Sequence, residues 1–263
     1  MTAATHEPTV GGLLREWRAR RRLSQLELAL EADVSTRHLS FVETGRSQPS
    51  REMVVKLAEQ LEIPLRERNH LLLAAGYAPV YPESDMADQR IREAVRHVLK
   101  GHEPFPALAV DRHWEMLDAN AGIALLLDGV DPQQLAPPVN ALRLALHPDG
   151  LAPKILNLGE WRAHLLARLR RQVAATHDPQ LASLLAELRS YPCGDPEPAV
   201  ELPGPGEIVV PLKIRPNLSF MSIVSTFGTP LDVTLQELSI EAFFPADERT
   251  AAALRQAAPP PPV

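Results

Sequence analysis

Apolar residues along the first eighty positions recur at three- and four-residue spacing, the period of helices that bury one face. Leu13, Leu14 and Trp17 set the inner face of a helix over residues 10–21. Gln25, Leu26, Leu28, Ala29 and Leu30 form a short amphipathic helix that Asp33-Val34-Ser35 breaks. A second helix then runs over residues 36–43, with Ser35 placed to cap it through its hydroxyl. Val34, Leu39 and Val42 carry its apolar side, while Thr36, Arg37, His38, Ser40 and Phe41 face outward. Gly45 stops it, and Ser50 caps the next helix, whose stripe is Met53, Val54, Leu57, Ala58 and Leu61. Pro64 opens a fifth helix, 65–75, ended by Gly76, and its Leu71, Leu72 and Leu73 close a small core.

The texture changes after a proline-stiffened linker at 78–84. A helix is predicted over 83–100, with Met86, Ile91, Val95, Val98 and Leu99 apolar. Two short strands, 107–111 and 114–118, flank an Arg112-His113 turn, and Asn120 caps a helix through 127. Helices follow at 139–146, 154–175 and 179–190, then a loop rich in Pro and Gly over 191–206. Residues 207–214 alternate, and Pro211 makes that an edge strand. Residues 218–227 are apolar on both faces, which suits a central strand. Residues 231–244 alternate on odd positions to Leu235 and on even ones from Leu238, which predicts a β-bulge near 236–237. The fold class is an all-α helix-turn-helix domain followed by an α+β domain with an antiparallel sheet.

Two helices joined by a turn as short as Asp33-Val34-Ser35 cross steeply and need a small residue at the contact, which Ala29 supplies. The second helix is then free to enter a DNA major groove. LREWR, LSQLELA, VSTRHLS, VETGRSQPS and LAEQL follow in the order and spacing of the Cro/C1-type (XRE-like) DNA-binding domain, which this stretch resembles. Asp33 stands where that family's turn often has Gly, and Asp tolerates the left-handed backbone better than most residues. The family pattern implies that Arg18 and Glu43 form an ion pair bracing the second helix. Further on, DRHWEMLDAN, LHPDGL and FGTPLDVTLQELSIEAFFPAD resemble the MmyB-like ligand-binding domain. That resemblance implies a bacterial transcription regulator whose PAS-like domain encloses a hydrophobic, fatty-acid-like ligand. The expected layout is a disordered tail at 1–9, the helix-turn-helix domain at 10–77, the linker, the PAS-like domain at 85–250 and a Pro-rich tail at 251–263.

Charge sharpens this picture. The net charge is -6, yet residues 1–80 hold 11 Arg plus Lys against 10 Asp plus Glu, leaving 27 − 11 = 16 against 33 − 10 = 23 for the remainder. Arg15, Arg18, Arg20, Arg21 and Arg22 cluster, followed by Arg37, Arg46 and Arg51. An acidic second half keeps the rest of the chain off the phosphates. Cys193 is the only cysteine, so no disulfide framework or zinc cluster is expected. With no apolar signal core and no bilayer-length run, the expectation is a cytoplasmic protein without membrane association.

Arg37 can pair bidentately with a guanine edge, and His38 and Ser40 can reach base or phosphate. Gln25 opens its helix where a phosphate can be held by its side chain and by helix-end N–H groups. Ser35, Thr36 and Arg46 complete the candidate DNA-binding set. His113, His147, His164 and His177 lack H-x-x-x-H spacing, so no metal is expected. Asp111, His113 and Ser183 could be imagined as a triad, but no nucleophile elbow accompanies them, and the chain is not expected to be an enzyme. Asp178 reads as a helix cap. An apolar pocket needs a sheet face opposed by helices. Its candidate lining is Trp114, Leu117, Trp161, Leu165, Phe220, Ile223, Phe227 and Leu235, with Arg162 or His164 for a carboxylate head group. The expected partners are a double-stranded operator, a hydrophobic small molecule such as a fatty acid, and a second copy of the chain in a homodimer; no cofactor is called for. The alternative is an autoregulating repressor or antitoxin whose second domain binds a protein partner.

Overall fold

A computed structural model describes residues 9–86, 88–194, 210–228 and 230–257. The chain divides into two compact units, residues 1–85 with 229–236, and residues 86–228 with 237–263.

The first unit contains five helices in sequence: α1 (Val10–Arg20), α2 (Gln25–Glu31), α3 (Thr36–Glu43), α4 (Arg51–Gln60) and α5 (Leu65–Ala74). Local chemistry fixes the starts of the first four. Thr9, Ser24, Ser35 and Ser50 each accept from the backbone N–H three residues on, satisfying a donor that has no partner inside the helix. Ser24 adds the reciprocal bond, its N–H donating to Glu27 Oε2 at 2.7 Å. Asp33 takes the turn at φ +48°, and Gly45 and Gly76 leave α3 and α5 at φ +72° and +82°. Leu14, Leu28, Leu39, Leu57, Leu61, Leu71 and Leu72 are completely or almost completely buried. The expected Leu71–Leu73 run is corrected at one position: Leu73 is 56 % exposed. Three consecutive helical residues span most of a turn, so one of them must point away from the core.

Helix α5 starts differently. Pro64 precedes it and offers no capping side chain. The Leu65 N–H instead donates to Gln236 Oε1 at 2.6 Å, from a segment 171 residues away in sequence. That segment is part of the short helix α11 (Val233–Glu237), numbered after five helices of the second unit. Val233 is fully buried, its N–H donates to Pro82 O, and Asp232 Oδ2 accepts from the Ser84 N–H at 3.0 Å. The expected strand over 231–244 with a bulge is therefore wrong in its first half. Asp232 Oδ1 accepts from the Leu235 N–H and starts a helical turn, and the change of phase near 236–237 is the end of that helix.

The second unit is a five-stranded antiparallel sheet with helices on both faces. Its strands are β1 (Ala107–Val110), β2 (Met116–Ala119), β3 (Leu212–Ile214), β4 (Leu218–Thr226) and β5 (Ser239–Pro245), in the order β2-β1-β5-β4-β3. The middle strand is thus β5. Strand β4 pairs with β5 over residues 220–226 but with β3 only over residues 218–220, and Ile223 lies 50 % exposed. Residues 207–209 of the expected edge strand lie outside the described residues, and β3 is indeed at the edge. Helix α6 (Gln89–Gly101) packs on β1 and β2. It begins later than the apolar pattern suggested, because Asp88 caps it by accepting from the Arg90 N–H. Helix α12 (Glu248–Ala257) packs on β4 and β5, burying Ala251 and Leu254 in a stretch expected to be largely tail. Helices α7 (Ile123–Leu127), α8 (Ala141–Leu146), α9 (Leu158–Thr176) and α10 (Pro179–Ser190) build the larger core against the sheet, a cluster that also takes in Leu254 of α12. Before α9, residues 154–157 are not part of the helix: Ala152–Lys154 is a 3-10 turn, and Ile155 bridges to Ile214.

Candidate functional site

Two sites emerge, one in each unit. In the first, α3 buries Leu39 and Val42 and turns its other side outward. Ser35 is engaged as the cap, its Oγ accepting from the His38 N–H at 3.1 Å. Thr36, His38 and Ser40 are half-buried, and Arg37 is exposed. The guanidinium carbons of Arg37 and Arg46 lie 5.4 and 6.0 Å from the Phe41 ring centroid. A single aromatic residue thus gathers two cations at the end of the α3 surface, and stacking limits their freedom before any anion arrives.

Beneath this surface is a buried ion pair. Arg18 Nε and Nη2 donate to Glu43 Oε1 and Oε2 at 2.7 and 2.8 Å, and Arg18 Nη1 donates to Leu23 O. Gln25 Nε2 donates to Glu43 Oε2 at 2.8 Å. Gln25 therefore braces the last turn of α3 as well as opening α2. Burial pushes the Glu43 carboxyl up, but hydrogen bonds from Arg18 and Gln25, with the Arg18 and Arg15 charges, more than offset it and hold the group below the usual carboxylate range. Gly11 is a position that the hydrophobic pattern did not single out. A Cβ there would sit 2.2 Å from Val42 O and 3.0 Å from Glu43 O, so α1 meets the end of α3 through bare backbone. The arginine cluster also divides by role. Arg18 is in the ion pair, Arg20 pairs with Glu16, and Arg21 donates to Leu61 O and Glu62 O.

In the second unit, α9 lays Trp161 and Leu165 over the sheet. Between them lies a narrow apolar cavity of about 50 Å³. Leu108, Leu212 and Phe243 form its sheet wall, and Ile123, Leu126, Leu142 and Leu144 close it from α7 and α8. Of the candidate lining residues, Trp161 and Leu165 come together here. Phe220 is fully buried beside the cavity, with its ring edge-on to Phe243. Trp114 is buried under Arg168, whose guanidinium carbon sits 4.2 Å from the ring centroid. Leu117 on β2 and Phe227 beyond β4 are half-buried and do not line the cavity. Ile223 is exposed, and Leu235 belongs to the first unit. Arg162 donates to Arg189 O, and His164 stacks on Trp161, so neither places a cation in the cavity wall. The wall does contain one acid that was not foreseen, Glu241.

Other chemistry resolves into structure. His113 Nε2 lies 2.9 Å from Asp178 Oδ2, while Asp178 Oδ1 caps α10 by accepting from the Gln180 N–H. Burial raises the Asp178 carboxyl, and the His113 and helix-end hydrogen bonds outweigh it, leaving the group below its ordinary value. Ser183 is exposed on α10, and Asp111 Oδ1 accepts from the backbone of His113 and Glu115. Among the described residues, no group of three His, Cys, Asp or Glu side chains could hold a metal, and no helix is long and apolar enough to cross a membrane.

The family described as MmyB-like transcription regulator ligand binding domain matches residues 91–257, more than half of the chain. The chain belongs to the MmyB-like transcription regulators. A helix-turn-helix family matches residues 14–68, which hold the α2–α3 pair and its ion-pair brace. The regulator is thus a DNA-binding protein with a ligand-binding domain. No curated protein matches it. A solved structure, the clp gene regulator ClgR from Corynebacterium glutamicum, is 28 % identical over 37 % of this chain and 93 % of that one, at a TM-score of 0.23.

Proposed function

We propose that this MmyB-like regulator binds a near-palindromic operator as a homodimer in the cytoplasm, and that a long-chain, fatty-acid-like molecule in its second unit alters that binding. The observation that carries the ligand reading is the apolar cavity between α9 and the sheet, with Trp161 and Leu165 facing Leu108 and Phe243. Each methylene buried there gains about 0.8 kcal/mol, so an aliphatic chain is bound by length as well as by its end group. On the DNA side, Arg37 reads a guanine edge, His38 and Ser40 reach base or phosphate, and Arg46 meets phosphate. Ser35 and Thr36 lie at the start of α3, where helix-end N–H groups favour an anion, and Gln25 does the same at α2. A twofold operator asks for two copies of the reading helix, which supports the homodimer. Exposed Met221, Ile223 and Val224 on β4 offer apolar surface for the contact. Mass spectrometry of organic extracts from purified protein tests the ligand directly, with a panel of medium- and long-chain lipids scored for melting temperature and operator affinity. Absence of any bound lipid, together with no response to the panel, would leave a protein-partner module as the better reading.

A further inference from the structure

Phe41 is an aromatic residue on the wrong side of its helix for packing. At about 100° per residue, it lies about 200° around α3 from the buried Leu39 and only about 40° from Arg37. Its ring is half-buried, yet no core cluster includes it. What lies against the ring is charge: the guanidinium carbons of Arg37 and Arg46, 5.4 and 6.0 Å from its centroid. Among the described residues, neither guanidinium has a hydrogen-bond or ion-pair partner. The one acid of α3, Glu43, is taken up by Arg18 and Gln25. The backbone of Phe41 also places the second cation. Its carbonyl accepts from the Arg46 and Ser47 N–H groups at 2.8 and 3.2 Å, which ties the loop after α3 to the same residue.

The outward side of α3 therefore combines two cations with one apolar ring. The cations suit a guanine edge and a phosphate, but neither of those is a partner for the ring. In the major groove the other base edges present donors and acceptors, and the exposed apolar group is the 5-methyl of thymine. Its position relative to the guanine follows from helix geometry. Four residues on, Phe41 is about 6 Å farther along α3 than Arg37, close to two base-pair steps of about 3.4 Å. We infer that Phe41 is a specificity-determining residue whose ring packs on the methyl group of a thymine about two base pairs or fewer from the guanine that Arg37 reads. This rests on α3 being the reading helix, as proposed above.

The experiment starts by selecting an operator from a pool of random duplexes with the full-length protein. Each thymine of the selected duplex is then replaced in turn by deoxyuridine, which pairs identically and lacks only the methyl group. Affinity is measured at one fixed salt concentration. One thymine per half-site, inside that window around the guanine that Arg37→Ala ceases to prefer, should weaken binding about fourfold when demethylated, the size expected for one buried carbon. Phe41→Ala should bind the thymine and uracil duplexes equally. A uridine scan of the wild type with no sensitive thymine in the window overturns the inference, as does a penalty that persists in Phe41→Ala. Weaker binding by Phe41→Ala without a uridine penalty in the wild type also overturns it, and would leave the ring a support for the two arginines. A selection that enriches no duplex overturns the operator reading itself. The wild-type scan decides the matter even where Phe41→Ala does not fold.

Discussion

Removing Arg18 tests whether the helix-turn-helix stands on a buried charge pair. In Arg18→Met, Glu43 Oε1 loses its 2.7 Å donor, and Oε2 keeps only Gln25. The Glu43 side chain is 1 % exposed and that of Arg18 14 %, so water cannot replace the guanidinium without opening the contact between α1 and α3. Breaking a buried pair from one side costs about 3–5 kcal/mol, and the partial exposure of Arg18 favours the lower end. For a unit of this size that is a fall in melting temperature of roughly 12–24 °C. The assay is thermal and urea unfolding of the full chain, followed in the transition that carries the first unit.

Its pH dependence separates a charge effect from lost packing. In the wild type the Glu43 carboxyl lies below its ordinary value, so its stabilisation is present above the unfolded-state value and is lost as pH falls through the folded one. In Arg18→Met burial acts with less opposition and raises the group, so protonation relieves the variant as pH falls. The penalty should therefore shrink from neutral pH toward pH about 4, near the ordinary carboxylate value. Arg18→Met with Glu43→Met should recover most of the loss, since an apolar pair leaves no charge buried. A penalty below about 1 kcal/mol, typical of a surface pair, or one unchanged with pH, would refute the buried-pair account.

Gly11→Ala should destabilise the first unit by about 2–3 kcal/mol despite alanine's better helix propensity, because the new Cβ meets Val42 O at 2.2 Å; a melting temperature equal to or above wild type would contradict the close approach. Gln236→Ala should cost about 1 kcal/mol in urea unfolding, as for loss of a helix cap, since Leu65 N–H loses its acceptor; no change would mean that water serves equally well. Arg37→Ala should cost about 1–3 kcal/mol of specific operator binding and relax preference at one base pair, measured by titration against operator variants. A uniform loss with a salt slope smaller by about one would make Arg37 a phosphate contact instead.

Much of the first unit was legible because its signals are local. Ser35 and Ser50 lie directly before apolar stripes and cap as expected, and Asp33 takes the left-handed turn. The Arg18–Glu43 pair followed from the family pattern, since two charges 25 residues apart show no period. What escaped was nonlocal. Nothing near Pro64 announces that Gln236 will cap α5, and nothing around Gly11 shows which backbone it meets. Helix α11 escaped for another reason. Five residues are too few for a period of 3.6 to emerge, and Leu231, Val233 and Leu235 happen to alternate as in a strand. Helix α12 was obscured by its alanines, which bury well but carry little hydrophobic contrast beside a proline tail.

The cavity shows where pattern reading reaches its limit. Choosing lining residues by size favoured Trp114, Phe220, Ile223 and Phe227, but size does not say what a side chain is committed to. Trp114 supports Arg168, Phe220 fills the core against Phe243, and Ile223 lies where β3 no longer flanks β4. Along Ser239–Pro245 the eye takes Ile240, Ala242 and Phe244 as the buried face and leaves Glu241 to solvent. That inference holds for a sheet covered on one side. Here β5 is the middle strand, with helices over both faces, so Ile240, Glu241, Ala242 and Phe243 are all buried. Alternation alone cannot tell a solvent-facing acid from one facing a cavity; strand order can. The acid in this middle strand is held by donors of the protein itself, Ser222 Oγ and Arg168 Nη1, both on its Oε1, which is what lets a carboxylate lie between two covered faces.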